Sequence, residues 1–245
     1  MSSTTVCVIP ARYGSTRLPG KPLIEIAGVP MVMWVYRAAA DSGVFDEVLV
    51  ATDDERIARA IEGHGGRARM TSADHERGSD RVFEAIRDST HTYIVNLQGD
   101  EPQVPPVLLR QFVETLHKAV DDNALLTGVS RVSRDEIENP NVVKVVLARD
   151  NRALYFSRAP IPYDHGATDT FVKHTGIYGF TRKGLARYCG FGPGQLERLE
   201  KLEQLRALEN GMDIHCLFHD HRLHGIDTPA DLEAFRAFVA AGEGR

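Results

Sequence analysis

Val6-Cys7-Val8-Ile9-Pro10-Ala11-Arg12-Tyr13-Gly14-Ser15-Thr16-Arg17-Leu18-Pro19-Gly20-Lys21-Pro22-Leu23 decides how this chain is read. The apolar run Val6 to Ile9 has the character of a buried first strand. Behind it Gly14, Pro19, Gly20 and Pro22 bend the backbone, and Arg12, Arg17 and Lys21 place three fixed cations within ten residues. A bent, glycine-containing loop at the carboxyl end of a first strand is where open α/β sheets bind ligands. Backbone N–H groups and cations suit a polyanion such as a triphosphate. The loop is not a P-loop, because five residues separate Gly14 from Gly20 and Pro22 follows Lys21, where that motif needs four residues and then Ser or Thr. Any metal ligands must therefore come from carboxylates elsewhere. The plainer reading is a basic surface turn.

Outward from that loop, strand and helix signals alternate. Strands are expected at Glu47 to Ala51, Ala68 to Thr71 and Tyr93 to Leu97, and helices at Met31 to Ser42, Glu55 to Gly63 and Asp80 to Asp88. Thr52 or Asp53 is expected to cap the second helix and Ser79 the third. The alternation argues for an α/β fold, Rossmann-like, with a mostly parallel sheet covered on both faces. The middle breaks the rhythm: Ala124 to Val132, Val142 to Leu147, Ala153 to Phe156 and Val172 to Phe180 are strand-like with no long helix among the first three. They suggest a mixed or antiparallel extension of one domain covering 1–245, with about 124–180 as a smaller lobe. A long helix is expected over Gln195 to Glu209, a strand at Ile214 to Phe218 and a closing helix at Pro229 to Ala241.

With 245 residues, 42% apolar and 26% charged, the chain can bury a full α/β core. A net charge of −5 argues against nucleic acid as partner and suits a small anionic substrate. Cys7, Cys189 and Cys216 are odd in number and far apart, which points to reduced thiols. The early first strand leaves no room for a signal peptide, and no apolar stretch is long enough to span a membrane. A cytoplasmic protein is the expectation.

In Val-Asn-Leu-Gln-Gly-Asp-Glu-Pro (95–102), Asp100 stands just past a buried strand, where a carboxylate can hold Mg²⁺ against a triphosphate. The alternative is a capping aspartate. In Gly-Ile-Asp-Thr-Pro-Ala-Asp (225–231), Thr228 is a natural N-cap with Pro229 behind it, so Asp227 is not needed as the cap and is a second candidate ligand. Ser79, in Arg77-Gly78-Ser79-Asp80-Arg81, can read a base or simply cap. On the helix from Gln195, leucines at 196, 199, 202, 205 and 208 wrap roughly 240°. Glu203 falls inside that arc and reads as a site residue, whereas Glu197 and Glu200 read as surface. His215, His219, His221 and His224 crowd one stretch, read first as a solvated turn and second as a transition-metal site.

These elements together resemble the 3-deoxy-manno-octulosonate cytidylyltransferase (CMP-Kdo synthetase) family. The resemblance runs from about Val6 to Leu232 and includes Val-Ala-Thr-Asp-Asp (50–54), Asn-Pro-Asn-Val-Val-Lys-Val-Val (139–146), Tyr-Phe-Ser-Arg-Ala-Pro-Ile-Pro (155–162), Lys-His-Thr-Gly-Ile-Tyr-Gly-Phe (173–180) and Leu-Glu-Gln-Leu-Arg-Ala-Leu-Glu-Asn-Gly (202–211). It implies that CTP and Kdo give CMP-Kdo and pyrophosphate for lipopolysaccharide biosynthesis. It implies that Arg12, Arg17 and Lys21 grip the triphosphate, that Asp100 and Asp227 hold Mg²⁺, and that Thr71, Ala73 and Ser79 read cytosine and ribose. Gln98, Arg158, His174, Tyr178, Glu203 and Gln204 would line the sugar pocket, with Arg158 pairing two-pronged to the sugar carboxylate. A homodimer joined by the middle strands is also implied. The chain departs from the family pattern at Arg77, Ser79 and Thr175 and in a short stretch at 163–171, so 8-amino-Kdo or a sialic acid remains the alternative sugar.

Overall fold

A computed structural model describes residues 3–14, 18–166, 170–221, 223 and 225–242. The chain forms two compact units, residues 1–111 with 223–245, and residues 112–222. The elements of the first unit begin with β1 (Thr5–Ala11), a small hairpin of β2 (Glu25–Ile26) and β3 (Val29–Pro30), and α1 (Met31–Asp41). Then come β4 (Glu47–Thr52), α2 (Glu55–Gly63), β5 (Ala68–Met70), α3 (Gly78–Ala85) and β6 (Tyr93–Leu97), and α4 (Pro106–Ala119) runs across the boundary at residue 111. The second unit continues with β7 (Ala124–Ser133), β8 (Lys144–Leu147), β9 (Ala153–Ser157), β10 (Thr170–Thr181), α5 (Arg182–Gly190), α6 (Gln195–Glu200), α7 (Leu205–Glu209) and β11 (Asp213–Phe218). The chain returns to the first unit for α8 (Pro229–Ala240).

In the first unit β1 pairs in parallel with both β4 and β6, and β4 pairs in parallel with β5. Val6 to Ile9 are fully buried, as a parallel strand covered on both faces requires. The chain steps outward from β1 to β4 to β5, then returns to the other side of β1 as β6. That reversal is a topological switch point, and it opens a crevice outside the carboxyl ends of β1 and β6. In the second unit β10 runs antiparallel to β7 and β8, β9 antiparallel to β8, and β11 parallel to β7. The sheet there is mixed, as expected.

Three local expectations are corrected. Asp54, not Thr52 or Asp53, caps α2 through Arg56 N (2.9 Å). Ser79 lies inside the first turn of α3 and is buried; Arg77 holds the cap position. The long helix over Gln195 to Glu209 is two short ones, broken at Lys201 in the left-handed region (φ 53°). The break lets the chain double back on itself. Arg206, fully buried, then meets Glu197 with two hydrogen bonds of 3.0 and 2.8 Å. The Glu209 carboxylate accepts from Leu196 N (3.0 Å) and Glu197 N (3.3 Å) at the open end of α6. Ionic and terminal hydrogen bonds thus replace the helical ones lost at the break. The leucine arc does not survive it, since Leu199 is 72% exposed while Leu202 and Leu205 are buried.

Candidate functional site

The crevice outside β1 and β6 is a cleft of about 280 Å³ built wholly by the first unit. Arg12 follows β1 and Gln98, Gly99 and Asp100 follow β6 along its wall. Gly99 favours this close approach: a Cβ would stand 3.0 Å from Pro10 O, so any larger residue would push the two strand ends apart by a few tenths of an ångström. Lys21 reaches the cleft from a tight 3-10 turn, Lys21–Leu23, that starts at Gly20. Gly20 has φ 67°, and its N–H donates to Tyr13 O (3.2 Å), which closes the base of the opening loop. Arg17 lies outside the described residues.

Asp100 and Asp227 converge although 127 positions separate them in sequence. Ile226 is buried in a cluster with Leu18, Met31, Leu232 and Phe235, and its N–H donates to Asp100 O (2.9 Å). That bond fixes Asp227 beside Asp100. The helix cap is supplied as expected by Thr228, whose hydroxyl accepts from Asp231 N (3.2 Å). The Lys21 ammonium sits against both carboxylates, 2.9 Å from Asp100 Oδ2 and 3.3 Å from Asp227 Oδ1. The point where a divalent cation was expected is thus one where two carboxylates already accept a positive charge. Among the described residues no three His, Cys, Asp or Glu side chains converge as a metal cage. Two carboxylates suit a hard ion that completes its shell with water and phosphate oxygens.

Three further cleft residues were not singled out from the sequence: His75, Glu76 and Arg81. Arg81 is almost fully buried and bonds Asp53 Oδ2 (3.0 Å) and Thr71 Oγ1 (2.5 Å). The Thr71 hydroxyl donates in turn to Thr52 O (3.1 Å). His75 bonds Glu84, whose carboxyl the Ser72 N–H and then His75 hold below its usual range. No pattern in the sequence flags these residues, because the bonds that organise them join β4, β5 and α3. Thr71, Ala73 and Ser79 do not line the cleft. Ser79 Oγ accepts from Asn96 Nδ2 (3.4 Å), and Ala73 is exposed.

The second unit gathers most of the expected sugar residues. The His174 and Tyr178 rings meet with centroids 5.3 Å apart, tilted by 39°, and Tyr178 O–H donates to Gln204 Oε1 (3.3 Å). Gln204 is buried, and its Nε2 has no partner among the described residues. A buried amide donor left alone costs about 1–3 kcal/mol, a strong reason to expect an acceptor from a ligand. The Glu203 carbonyl accepts from Tyr188 O–H (2.6 Å), which pins the turn before Gln204. Arg158 donates to the carbonyls of Glu200 (2.9 Å), Pro140 (2.8 Å) and Lys201 (3.4 Å), so the guanidinium is oriented by neutral acceptors and keeps its charge for an anion. Glu200 is no surface residue: it takes Ser157 Oγ (2.6 Å) and Arg158 N (2.9 Å). Nor is Glu197, the partner of Arg206.

The histidine stretch is not a solvated turn at His219. That ring is buried, with Nε2 at 2.9 Å from Thr175 Oγ1. His224 lies outside the described residues. Burial, and then the neighbouring His221, push the His219 pKa down to about 4; burial pushes His174 to about 3. Nearby Lys173 acts in the same direction on His219, and Asp220 opposes it. Both rings are neutral in the folded protein but titrate near 6.5 when unfolded, so the unfolded chain binds more protons as pH falls below 6.5. Stability is then expected to drop by about 1 kcal/mol per pH unit for each of the two histidines between pH 6.5 and 5, approaching about 1.4 at the acid end. Urea unfolding across that range measures the slope, and His219→Gln should make it shallower. An equal slope in the variant would count against this account.

A cytidylyltransferase family profile matches residues 6–214. A 3-deoxy-manno-octulosonate cytidylyltransferase of Vibrio parahaemolyticus is 46% identical, over 95% of this chain and 97% of its own length. One of Syntrophobacter fumaroxidans is 48% identical, over 94% of each chain. Among solved structures, a CMP:2-keto-3-deoxy-manno-octonic acid synthetase complexed with CTP superposes with a TM-score of 0.91 at 41% identity, covering 98% of this chain and 100% of that one.

Proposed function

Because this chain belongs to the cytidylyltransferase family, we propose that it couples CTP to 3-deoxy-D-manno-octulosonate (Kdo), giving CMP-Kdo and pyrophosphate for lipopolysaccharide biosynthesis. The observation that carries the reading is the convergence of Lys21, Asp100 and Asp227 at the switch-point cleft. A polyanion entering there meets Arg12, Lys21 and Arg77, and the N-terminus of α3 opens beside it at Gly78.

In the reaction the anomeric hydroxyl of the sugar attacks the α-phosphorus, the bond to pyrophosphate breaks, and the hydroxyl proton is lost. The chain's task is placement and charge stabilisation, as in other phosphoryl transfers. Arg12, Arg17 and Lys21 would grip the triphosphate, and Lys21 would follow the charge that grows on the departing pyrophosphate. Asp100 and Asp227 would hold Mg²⁺, which offsets phosphate charge and makes the sugar hydroxyl more acidic. Thr71, Ala73 and Ser79 would act on cytosine and ribose largely through the backbone, since the Thr71 and Ser79 side chains already serve Arg81 and Asn96. Arg158 would pair with the sugar carboxylate. Gln204 Nε2 would donate to a sugar oxygen, with His174, Tyr178 and Glu203 around it, and Gln98 would act from the wall of the first unit's cleft.

The same reading makes the protein a cytoplasmic homodimer. Its three cysteines form no disulfide, which suits a reducing compartment, and among the described residues no helix is long and apolar enough to cross a membrane. In the middle strands Leu154 stands 57% exposed, a side chain that a partner subunit would cover. Sedimentation at micromolar concentration distinguishes dimer from monomer.

Substrate choice is tested by supplying CTP and Mg²⁺ with Kdo, 8-amino-Kdo or a sialic acid and following pyrophosphate. Kdo is expected to give the highest kcat/KM. A preference for the amino sugar or the sialic acid would move the reading to that relative, and no pyrophosphate with any of them would end it.

A further inference from the structure

A strand places side chains four apart at roughly 13 Å from each other. The His174 and Tyr178 rings on β10 nevertheless meet with centroids 5.3 Å apart. The reason is a bulge: Thr175 pairs with Gly128 and Tyr178 with Thr127, so Gly176 and Ile177 are inserted against no residue of β7. Bulges re-aim side chains, and this one folds the strand until the two rings meet. It packs down on Gly128, where a Cβ would stand 3.1 Å from both Ile177 Cγ2 and Thr175 Cβ.

One buried hydroxyl faces the bulge. Thr127 Oγ1 lies 2.8 Å from Ile177 O, 3.4 Å from Thr175 O and 2.9 Å from His174 Nε2. A threonine hydroxyl has a single proton. A carbonyl cannot donate, so the 2.8 Å contact to Ile177 O takes that proton. The Thr127 oxygen is left as acceptor, and His174 Nε2 must carry the hydrogen that points at it. The ring is neutral at working pH, since burial holds its pKa at about 3. Its second nitrogen, Nδ1, is therefore a bare acceptor. Phe156 holds the ring from the side, edge-on at 5.5 Å, and His174 N–H donates to Val143 O (2.9 Å).

We propose that Thr127 is a positioning residue of the sugar site: its hydroxyl pins the β10 bulge and fixes His174 as the Nε2–H tautomer, so that Nδ1 accepts a hydrogen bond from a substrate hydroxyl. This rests on the reading of His174 as a sugar residue. It also gives a chemical criterion for the substrate, which must present an O–H donor at that point; a group that can only accept is refused there.

The tautomer is read from long-range ¹H–¹⁵N correlations of the His174 ring in the ligand-free protein, assigned by the signal lost in His174→Gln. The expected state is Nε2–H in the natural protein and in Thr127→Ser, and a shift toward Nδ1–H in Thr127→Val. In parallel, Thr127→Val should raise the sugar KM by about tenfold, one hydrogen bond's worth, with the CTP KM within about twofold, and Thr127→Ser should restore it. An Nδ1–H ring in the natural protein overturns the tautomer assignment, and it does so without any variant having to fold. A tautomer that Thr127→Val leaves unchanged overturns the role of Thr127. If the tautomer is lost while the sugar KM stays put, the sugar reading of His174 falls instead, and with it the role of Nδ1.

Discussion

Asp100→Ala should lower kcat for pyrophosphate release by about 10³ or more while leaving the fold intact. The size follows from the part removed. In the proposed reading Asp100 helps hold Mg²⁺ at the phosphates, a contribution of several kcal/mol, and each 1.4 kcal/mol is tenfold in rate. The intact fold follows from how the residue is built in. What ties the Asp100 segment to the start of α8 is its main-chain carbonyl, which accepts from Ile226 N and is kept by alanine. Its carboxylate is 35% exposed and bonds Lys21, so its loss disturbs little packing. Thermal melting within a few degrees of the natural protein, together with the rate loss, is the expected pair of results. Near-normal turnover would remove Asp100 from the metal site, and Asp227→Ala, tested beside it, should behave alike.

Glu197→Ala should be the most destabilising single change in the second unit, by about 3–5 kcal/mol. Arg206 has no exposed side-chain surface, and two of its N–H groups end on the Glu197 carboxylate. The Phe191 carbonyl at 3.4 Å and the Tyr188 ring at 5.1 Å also meet it, and neither carries a full negative charge. Removing the carboxylate takes away the two hydrogen bonds that Glu197 accepts from this buried charge. Arg206→Met with Glu197→Leu removes both charges and should recover much of the loss, because a buried pair can be replaced by apolar groups more cheaply than it can be broken. Urea unfolding of the single and double variants decides it; a loss under 1 kcal/mol for Glu197→Ala would show the pair to be incidental.

The first unit was the more legible half of the chain. Parallel strands buried on both faces are written as apolar runs, and Val6 to Ile9, Glu47 to Ala51 and Tyr93 to Leu97 stand in the structure within a residue or two of where they were expected. Thr228 as cap and Asp227 as a residue outside it were legible for a similar reason: capping is a local interaction with a short sequence signature. The helix over Gln195 to Glu209 was misread because its periodicity is real but loses to a non-local ion pair, and nothing in a leucine spacing announces that Arg206 will seek Glu197. Glu203 falls in a leucine arc on paper that the folded chain does not form. It sits in the turn between α6 and α7, and any part it plays with the sugar comes from that turn and not from a helix face. The link from Arg81 to Asp53 and Thr71 was invisible for the same kind of cause, since its partners meet only once the sheet is assembled.

The cap of α8 has a further meaning for how this protein can change. One oxygen of Asp231 receives Asp227 N (3.0 Å), Thr228 N (2.7 Å) and Thr228 Oγ1 (2.8 Å), so the start of the helix is held by Asp231 and Thr228. Asp227 gives that anchor its backbone N–H, while its carboxylate accepts from Lys21. Two acidic residues four apart thus divide their labour, one maintaining the architecture and the other serving the cleft. Substitutions at the second can retune chemistry without loosening the helix on which it stands, and the usual conflict between robustness and activity is relaxed at this corner of the molecule.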